Sequence, residues 1–376
     1  MRTNGKPSRP RKIRYAVIGL GHIAQVAVLP AFSNAQKNSQ LAALVSDDTV
    51  KLRELSRSYH VPHTFCYDEY EACLHGGEID AVYIALPNSL HREFATRAAQ
   101  AGVHVLCEKP LALDEEECHD IIQACTENRV KLMTAYRLHF ERANLEAIRL
   151  LKAGTIGRPR IFQSLFTMQI KEGNIRLQQP LGGGTLYDIG IYCINAARYL
   201  FQAEPTEVFA YAANNGERRF AEVDEMTSAL LRFPDERLAG FTSSFGAADT
   251  AVYEVVGTRG VLRVRQAYEH SEPMEMEIAV DGRTQKRRYP KRDQFGPELV
   301  YFSDCILKNR EPEPSGIEGL LDVHIIQSLL RSARHGIPVK LQDLTRRRRP
   351  SLRQHIHRPR ARKLHIVHTR APTRSY

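Results

Sequence analysis

No stretch of 18 or more apolar residues occurs in the 376-residue chain, which excludes a helical membrane span. The basic N-terminus has no apolar segment behind it, so no secretory signal is expected. The seven cysteines, at 66, 73, 107, 118, 125, 193 and 305, include no Cys-x-x-Cys pair. Scattered and odd in number, they point to a reduced, cytoplasmic protein without a zinc or disulfide framework. Solenoid repeats, coiled-coil heptads and low-complexity linkers are also missing.

Acids are absent from both ends. Residues 1–14 carry six Lys or Arg, and residues 345–376 carry ten Arg and one Lys. Between them stand 36 basic against 43 acidic residues, so the body is mildly acidic. The Arg-rich end has no apolar periodicity and reads as a disordered, solvated tail, with nucleic-acid association as a weaker alternative. His355, His357, His365 and His368 lie in it without acidic or cysteine partners, so no metal site is expected.

What is present is a repeating alternation. Residues 13–24 form an apolar run that breaks into Gly-x-Gly-x-x-Ala. Gly19 and Gly21 allow a tight turn and close approach to a pyrophosphate, with His22 and Ile23 following, and Ala24 lets the next helix pack near the strand. A plain strand-turn-helix would look the same on these residues alone. Strands are then predicted at 41–46, 80–86, 104–107 and 130–136, with helices at 51–60, 89–101 and 115–128. This pattern predicts a doubly wound parallel sheet. After a helix at 142–153, alternating segments at 160–170, 206–213, 226–233, 238–244, 251–257, 260–265 and 276–280 predict a broad, mostly antiparallel open sheet. Helices at 297–308 and 319–334 and a short strand after 336–338 close it. The expected division is a basic extension at 1–12, a dinucleotide-binding domain at 13–136, a substrate and oligomerisation domain at 137–344, and a basic tail at 345–376.

Three further motifs fall at strand ends, where such a sheet binds ligands. Leu86-Pro87-Asn88-Ser89-Leu90-His91 ends the third predicted strand, and Glu108-Lys109-Pro110 follows the fourth. Gly182-Gly183-Gly184 precedes Asp188 and Tyr192, which share a face if a helix starts near Thr185. An exposed salt bridge for Lys109 and simple loop punctuation for the glycines are the plain alternatives.

Together these four motifs resemble the Gfo/Idh/MocA oxidoreductase family, and most the glucose–fructose oxidoreductase branch, over about residues 13–340. The resemblance implies a Rossmann domain holding NAD(P), a second α+β domain whose open sheet forms homodimer or homotetramer contacts, and hydride transfer at a sugar or cyclitol carbon. It implies Lys109, Asp188 and Tyr192 as catalytic residues, Arg137 beside the nicotinamide, and a cis Lys109–Pro110 bond. The cofactor-facing set becomes Gly19, Gly21, His22, Ile23, Ser46, Lys51, Leu86, Pro87, Asn88, His91, Glu108, Lys109 and Arg137. A lysine ammonium beside a tyrosine hydroxyl favours tyrosinate, which would suit proton removal from a carbinol. Ser46 with Lys51 suits NADP, whereas Asp47 suits NAD; NADP is the expected cofactor. The reading is an NADP-dependent sugar oxidoreductase that acts at aldose C1 and gives a lactone. The alternatives are an NAD-dependent cyclitol dehydrogenase and a non-catalytic NAD(P) or sugar sensor.

Overall fold

The structure, a computed structural model, describes residues 11–342, 349–362 and 365–373. Its first part runs β1 (Ile13–Ile18), α1 (Leu29–Ala35), β2 (Ser39–Val45), α2 (Thr49–Tyr59), β3 (His63–Phe65), α3 (Tyr70–His75), β4 (Ala81–Ile84), α4 (His91–Gln100), β5 (His104–Glu108), α5 (Glu115–Glu127) and β6 (Leu132–Ala135). The short β3 and α3 lack the apolar run that marks their neighbours, and sequence reading passes over them. The six strands pair in parallel in the order β3-β2-β1-β4-β5-β6. The strand order therefore reverses between β1 and β4, and ligands bind across such a switch point. Both faces of this sheet are buried: Ala16, Ile18 and Val82 point to one apolar cluster and Tyr15, Val17 and Tyr83 to the other. That explains why its strands read as continuous apolar runs.

The second part contains α6 (Arg142–Lys152), β7 (Pro159–Thr167), α7 (Ile191–Phe201), β8 (Glu207–Ala213), β9 (Met226–Phe233), β10 (Arg237–Ser244), β11 (Thr250–Gly257), β12 (Gly260–Arg265), β13 (Met274–Val280) and β14 (Arg283–Tyr289). Then come α8 (Phe295–Leu307), α9 (Gly316–His335) and β15 (Val339–Lys340). Nine strands form one open sheet, antiparallel except where β7 pairs with β10. Alternate residues face the core, as along β9, where Ala229, Leu231 and Phe233 are buried. β14, with the charged run Arg283–Tyr289, escaped sequence reading because only two of its residues are even half-buried.

Two expectations need correction. The last helices do not belong wholly to the second unit. α8 lies on the Rossmann sheet through Phe295, Leu299 and Phe302, and Ser303 meets the Tyr15 hydroxyl at 2.8 Å. α9 is shared: Leu320 and Val323 enter the Rossmann core, while Ile325, Ile326 and Leu329 enter the other. One rigid helix of 20 residues thus spans both cores. The basic tail is also attached at several described points, although residues 343–348, 363–364 and 374–376 lie outside the described residues. Gln354 donates to Glu313 O at 2.7 Å, Arg358 to Asn34 O at 2.7 Å, and Ile356, Ile366 and Val367 pack against the Rossmann core. Its charges find counter-ions on the acidic body, as where Arg349 meets Glu204 at 2.7 Å. Among the described residues no helix is long and apolar enough to cross a membrane.

Gly19 sets the approach of β1 to the loop after β4. Its φ is +87°, and a Cβ there would stand 2.6 Å from Ala85 O and 2.9 Å from Leu86 Cδ2. Gly19→Ala should therefore lower stability by about 1–3 kcal/mol, the usual cost of a strained backbone position. A melting temperature within a degree of wild type would show that the turn relaxes freely.

Candidate active site

The glycine turn stands at the C-terminal edge of β1. Gly19 N–H donates to Val45 O, which fixes the turn beside β2. A Cβ on Gly21 would meet nothing within 4 Å, so the backbone there borders open space. The following helix opens with a π turn, Ala24–Val28. Its half-buried leading residues His22 and Ile23 sit at the positive end, a geometry that receives a pyrophosphate. These residues therefore fit a dinucleotide. Leu86 backs the turn, and half-buried Pro87 and Asn88 continue the wall.

At the end of β2 the picture is less direct than the sequence suggests. Ser46 is buried, with its N–H donating to Phe65 O and its hydroxyl accepting from Asp48 N–H at 3.3 Å. It shapes the loop rather than lining the cleft. Asp47 spends one carboxylate oxygen on Tyr67 N–H at 2.8 Å. Asp48 caps α2 by accepting from Lys51 N–H, and its other oxygen faces Lys51 Nζ at 3.6 Å and His368 Nδ1 at 3.2 Å. Sequence reading missed both Asp48 and His368.

At the other end, Glu108 and Lys109 leave β5, and the Lys109–Pro110 bond is cis. Burial raises the Glu108 carboxyl against nearby cations, and Tyr83 donates to it at 2.8 Å. Lys109 Nζ crosses to the second unit, donating to Asp188 O at 2.7 Å and Asp188 Oδ1 at 3.3 Å. Arg176 Nε donates to Asp188 Oδ2 at 2.6 Å. Burial opposes charge on Asp188, yet the Arg176 and Lys109 cations outweigh it and bring its carboxyl down to about 2. Asp188 lies in a second π turn, Leu186–Gly190, which leads into α7 and Tyr192. Such a turn interrupts the regular carbonyl ladder, and Asp188 O is the acceptor Lys109 uses.

Lys109 does not reach Tyr192 in the manner expected. Its ammonium lies over the ring, 4.9 Å from the centroid, and its hydrogen bonds go to Asp188. The Arg137 guanidinium is also 4.9 Å from that ring centroid. Arg137 is itself buried, bonded to Gln294 Oε1 at 2.5 Å and to Tyr268 O. It therefore backs the Tyr192 ring and ties it to Gln294 and Tyr268. Phe166 and Tyr268 complete the aromatic setting at 5.7 and 6.0 Å.

His91 is fully buried, its ring nitrogens 2.8 Å from Pro110 O and 3.1 Å from Leu86 O. It ties the two cleft loops together from behind and is not a cofactor contact. Asn88 Nδ2 donates to Gly182 O at 2.8 Å, so one end of the loop holds the glycine segment of the second unit. Gly182 has φ +78°, and a Cβ there would sit 2.4 Å from Leu113 Cδ2. Arg176 was invisible in the sequence because nothing periodic surrounds it; Asn174 caps its short turn at 3.1 Å. Glu298, on α8, is buried without a hydrogen bond among the described residues, and burial followed by Glu108 raises its carboxyl well above the usual range. No group of metal-ligating side chains occurs among the described residues.

A family model described as an oxidoreductase family with an NAD-binding Rossmann fold matches residues 13–136, and the Gfo/Idh/MocA C-terminal domain model matches residues 144–263. The chain belongs to the Gfo/Idh/MocA oxidoreductase family. An NADP(+)-dependent D-xylose 1-dehydrogenase of Haloarcula marismortui is 33% identical over 88% of this chain and 93% of its own length. The crystal structure of an aldose-aldose oxidoreductase from Caulobacter crescentus, complexed with glycerol, is 37% identical with a TM-score of 0.84, covering 88% of this chain and all of that one. A 3-ketoreductase from Actinomadura kijaniata, in complex with NADP and TDP-benzene, is 28% identical with a TM-score of 0.79, over 85% of this chain and 98% of its own.

The depressed carboxyl of Asp188 makes a prediction with a definite sign. Its unfolded value is about 3.9, so its ionised form adds on the order of 2 kcal/mol that is present above about pH 4 and lost as pH falls toward 2. In urea unfolding, the stability gap between wild type and Asp188→Asn should hold steady from about pH 7 to pH 5 and narrow below about pH 4. A gap that closes above pH 5 would show that the cations do not hold the carboxylate.

Proposed function

We propose that this chain is an NADP-dependent aldose oxidoreductase that removes hydride from the C1 carbinol of a pyranose and yields the lactone. The observation that carries the reading is the meeting of Lys109, Asp188, Arg176 and Tyr192 at the nicotinamide side of the switch point, across from the glycine turn. The relatives named above support a sugar as substrate and NADP as cofactor, and they give no support to a cyclitol dehydrogenase or a non-catalytic sensor. NADP supplies the hydride acceptor; the rest of the chemistry falls to the chain.

Oxidising a carbinol requires its hydroxyl to lose a proton as hydride leaves. Tyr192 takes this proton onto its oxygen, its own hydroxyl proton having first gone to solvent. The Lys109 and Arg137 cations at its ring supply positive potential where negative charge develops on oxygen, a preorganised arrangement that needs no reorientation during the reaction. Asp188 remains ionised and has acceptor capacity beyond its bonds to Lys109 and Arg176, so it receives a neighbouring sugar hydroxyl and holds the carbinol at attack distance. Lys109 positions both partners. On the adenosine side, Lys51 would hold the 2′-phosphate, with Asp48 keeping its ammonium in place. A second copy of this chain covers the outer face of the open sheet, where Ile161, Leu165, Leu230 and Leu238 are about half exposed. The seven free cysteines suit a reducing, cytoplasmic setting.

A panel of aldoses assayed with NADP+ and NAD+ tests the assignment directly. Lys109→Met should keep cofactor affinity and lose most turnover, and Tyr192→Phe should lower kcat by roughly 10²–10⁴, the worth of a positioned acid/base. Lost cofactor affinity with kcat preserved in Lys109→Met, or a Tyr192→Phe enzyme within threefold of wild type, would reassign these side chains. Lys51→Ala should cut the NADP/NAD preference at least tenfold, since one charge-assisted contact is worth about 1.5–3 kcal/mol. An unchanged ratio would shift the discrimination to Asp47 or Asp48.

A further inference from the structure

The basic segment 365–373 runs along the cleft, and its contacts fall on the elements that would hold the adenosine half of a dinucleotide. Gln25, buried one turn into the helix after the glycine turn, grips both backbone groups of Val367. Its Oε1 accepts from Val367 N–H at 2.7 Å and its Nε2 donates to Val367 O at 2.9 Å. The same Nε2 donates to Leu20 O at 2.9 Å, inside the glycine turn itself. One residue on, His368 adopts φ +46° and turns its ring to Asp48, beside Lys51. The segment then leaves the Rossmann unit and docks on the other: Pro372 O accepts from Lys171 N–H at 2.9 Å, and Thr373 bridges Ile170. Ile170 and Lys171 lead directly to Arg176, the partner of Asp188.

Only four residues lie between Val367 and Pro372, a reach of about 17 Å when fully extended. Within that reach the chain passes from the pyrophosphate turn, past the end of β2, to the lip of the sugar-facing unit. The two family-model matches end at residues 136 and 263, ahead of this segment. We propose that residues 365–373 form a strap across the dinucleotide cleft, closing over the adenosine half of the cofactor and slowing its release, with His368 turned to Asp48 at the end of β2. This rests on the assignment of an NADP-binding cleft.

The strap differs from a mere structural brace in what its removal changes. A brace would lower the stability of the cofactor-free protein, whereas a strap sets the rate at which bound cofactor escapes. The test uses the full-length chain with Val367→Pro, which deletes the N–H held by Gln25, combined with His368→Asp, which places like charge against Asp48. NADPH release, followed by stopped-flow fluorescence on displacement with excess NADP+, should accelerate at least tenfold, a readout that lost packing of Val367 on the Rossmann core would not move by itself. A chain ending at residue 364 serves as the second variant and should release NADPH at least as fast. Tryptic cleavage after Arg370 in the wild type should also slow when NADPH is added. Equal release rates in all three proteins, with NADPH bound by each, would overturn the strap alone. Failure of wild type to bind either NADPH or NADH would overturn the cofactor assignment and the strap with it.

Discussion

A single carboxylate, Asp188, fastens the two halves of the molecule at the point where chemistry is expected. Lys109 reaches it from the end of a Rossmann strand, and Arg176 reaches it from its own unit. Removing one partner from such a partly desolvated cluster leaves the remaining charges without compensation. The cluster is therefore a poor source of net stability but a strict geometric constraint. Lys109 can satisfy Asp188 O and Oδ1 together only if the π turn before α7 and the loop after β5 keep their distance. Everything that sets that distance becomes part of the site.

Three features set it. α9 contributes to both apolar cores, so the sheets cannot rotate apart without tearing one of them. The Asn88–Gly182 bond and the close packing of Gly182 on Leu113 bring the glycine segment onto the Rossmann loops. Behind α7, the fully buried Arg198 is bonded to Glu318 at 2.8 Å and also to Glu204 and Asp322. That knot anchors the helix carrying Tyr192 to α9. Burial raises the Asp322 carboxyl above its usual range, with the Arg198 cation opposing it. The ion knot and the shared helix together explain how a site split between two units can hold ångström-level geometry.

The fold and the chemistry-bearing motifs were legible because each is a local signal. Strands buried on both faces read as unbroken apolar runs, and strands of the open sheet read as alternation. The glycine turn, Leu86–Leu90 and Glu108-Lys109 announce themselves by residues that only make sense at strand ends. What stayed hidden depends on partners far away in sequence. Arg176 has no signature until Asp188 is seen beside it, and Ser46 looks like a 2′-phosphate contact until its hydroxyl is found turned to Asp48 N–H. His91 looks like a ligand until both ring nitrogens are found facing carbonyls.

The basic end was misread for a related reason. Its attachment uses neither a helix nor a strand with an apolar period; it uses side-chain amides that grip backbone, as Gln25 grips Val367 and Asn34 donates to Pro359 O at 2.8 Å. Composition alone counts its arginines as mutually repulsive, the usual mark of disorder. The count omits the surface they lie on. The body holds 43 acids against 36 basic residues, and the end supplies cations without acids, so the two are complementary when read together. Glu204 shows this at one residue: it neutralises Arg198 in the core and meets Arg349 from the basic end. Half-buried Glu204 thus ties the ion knot behind α7 to the basic end at Arg349, so one carboxylate serves both the helix that carries Tyr192 and the attachment of that end.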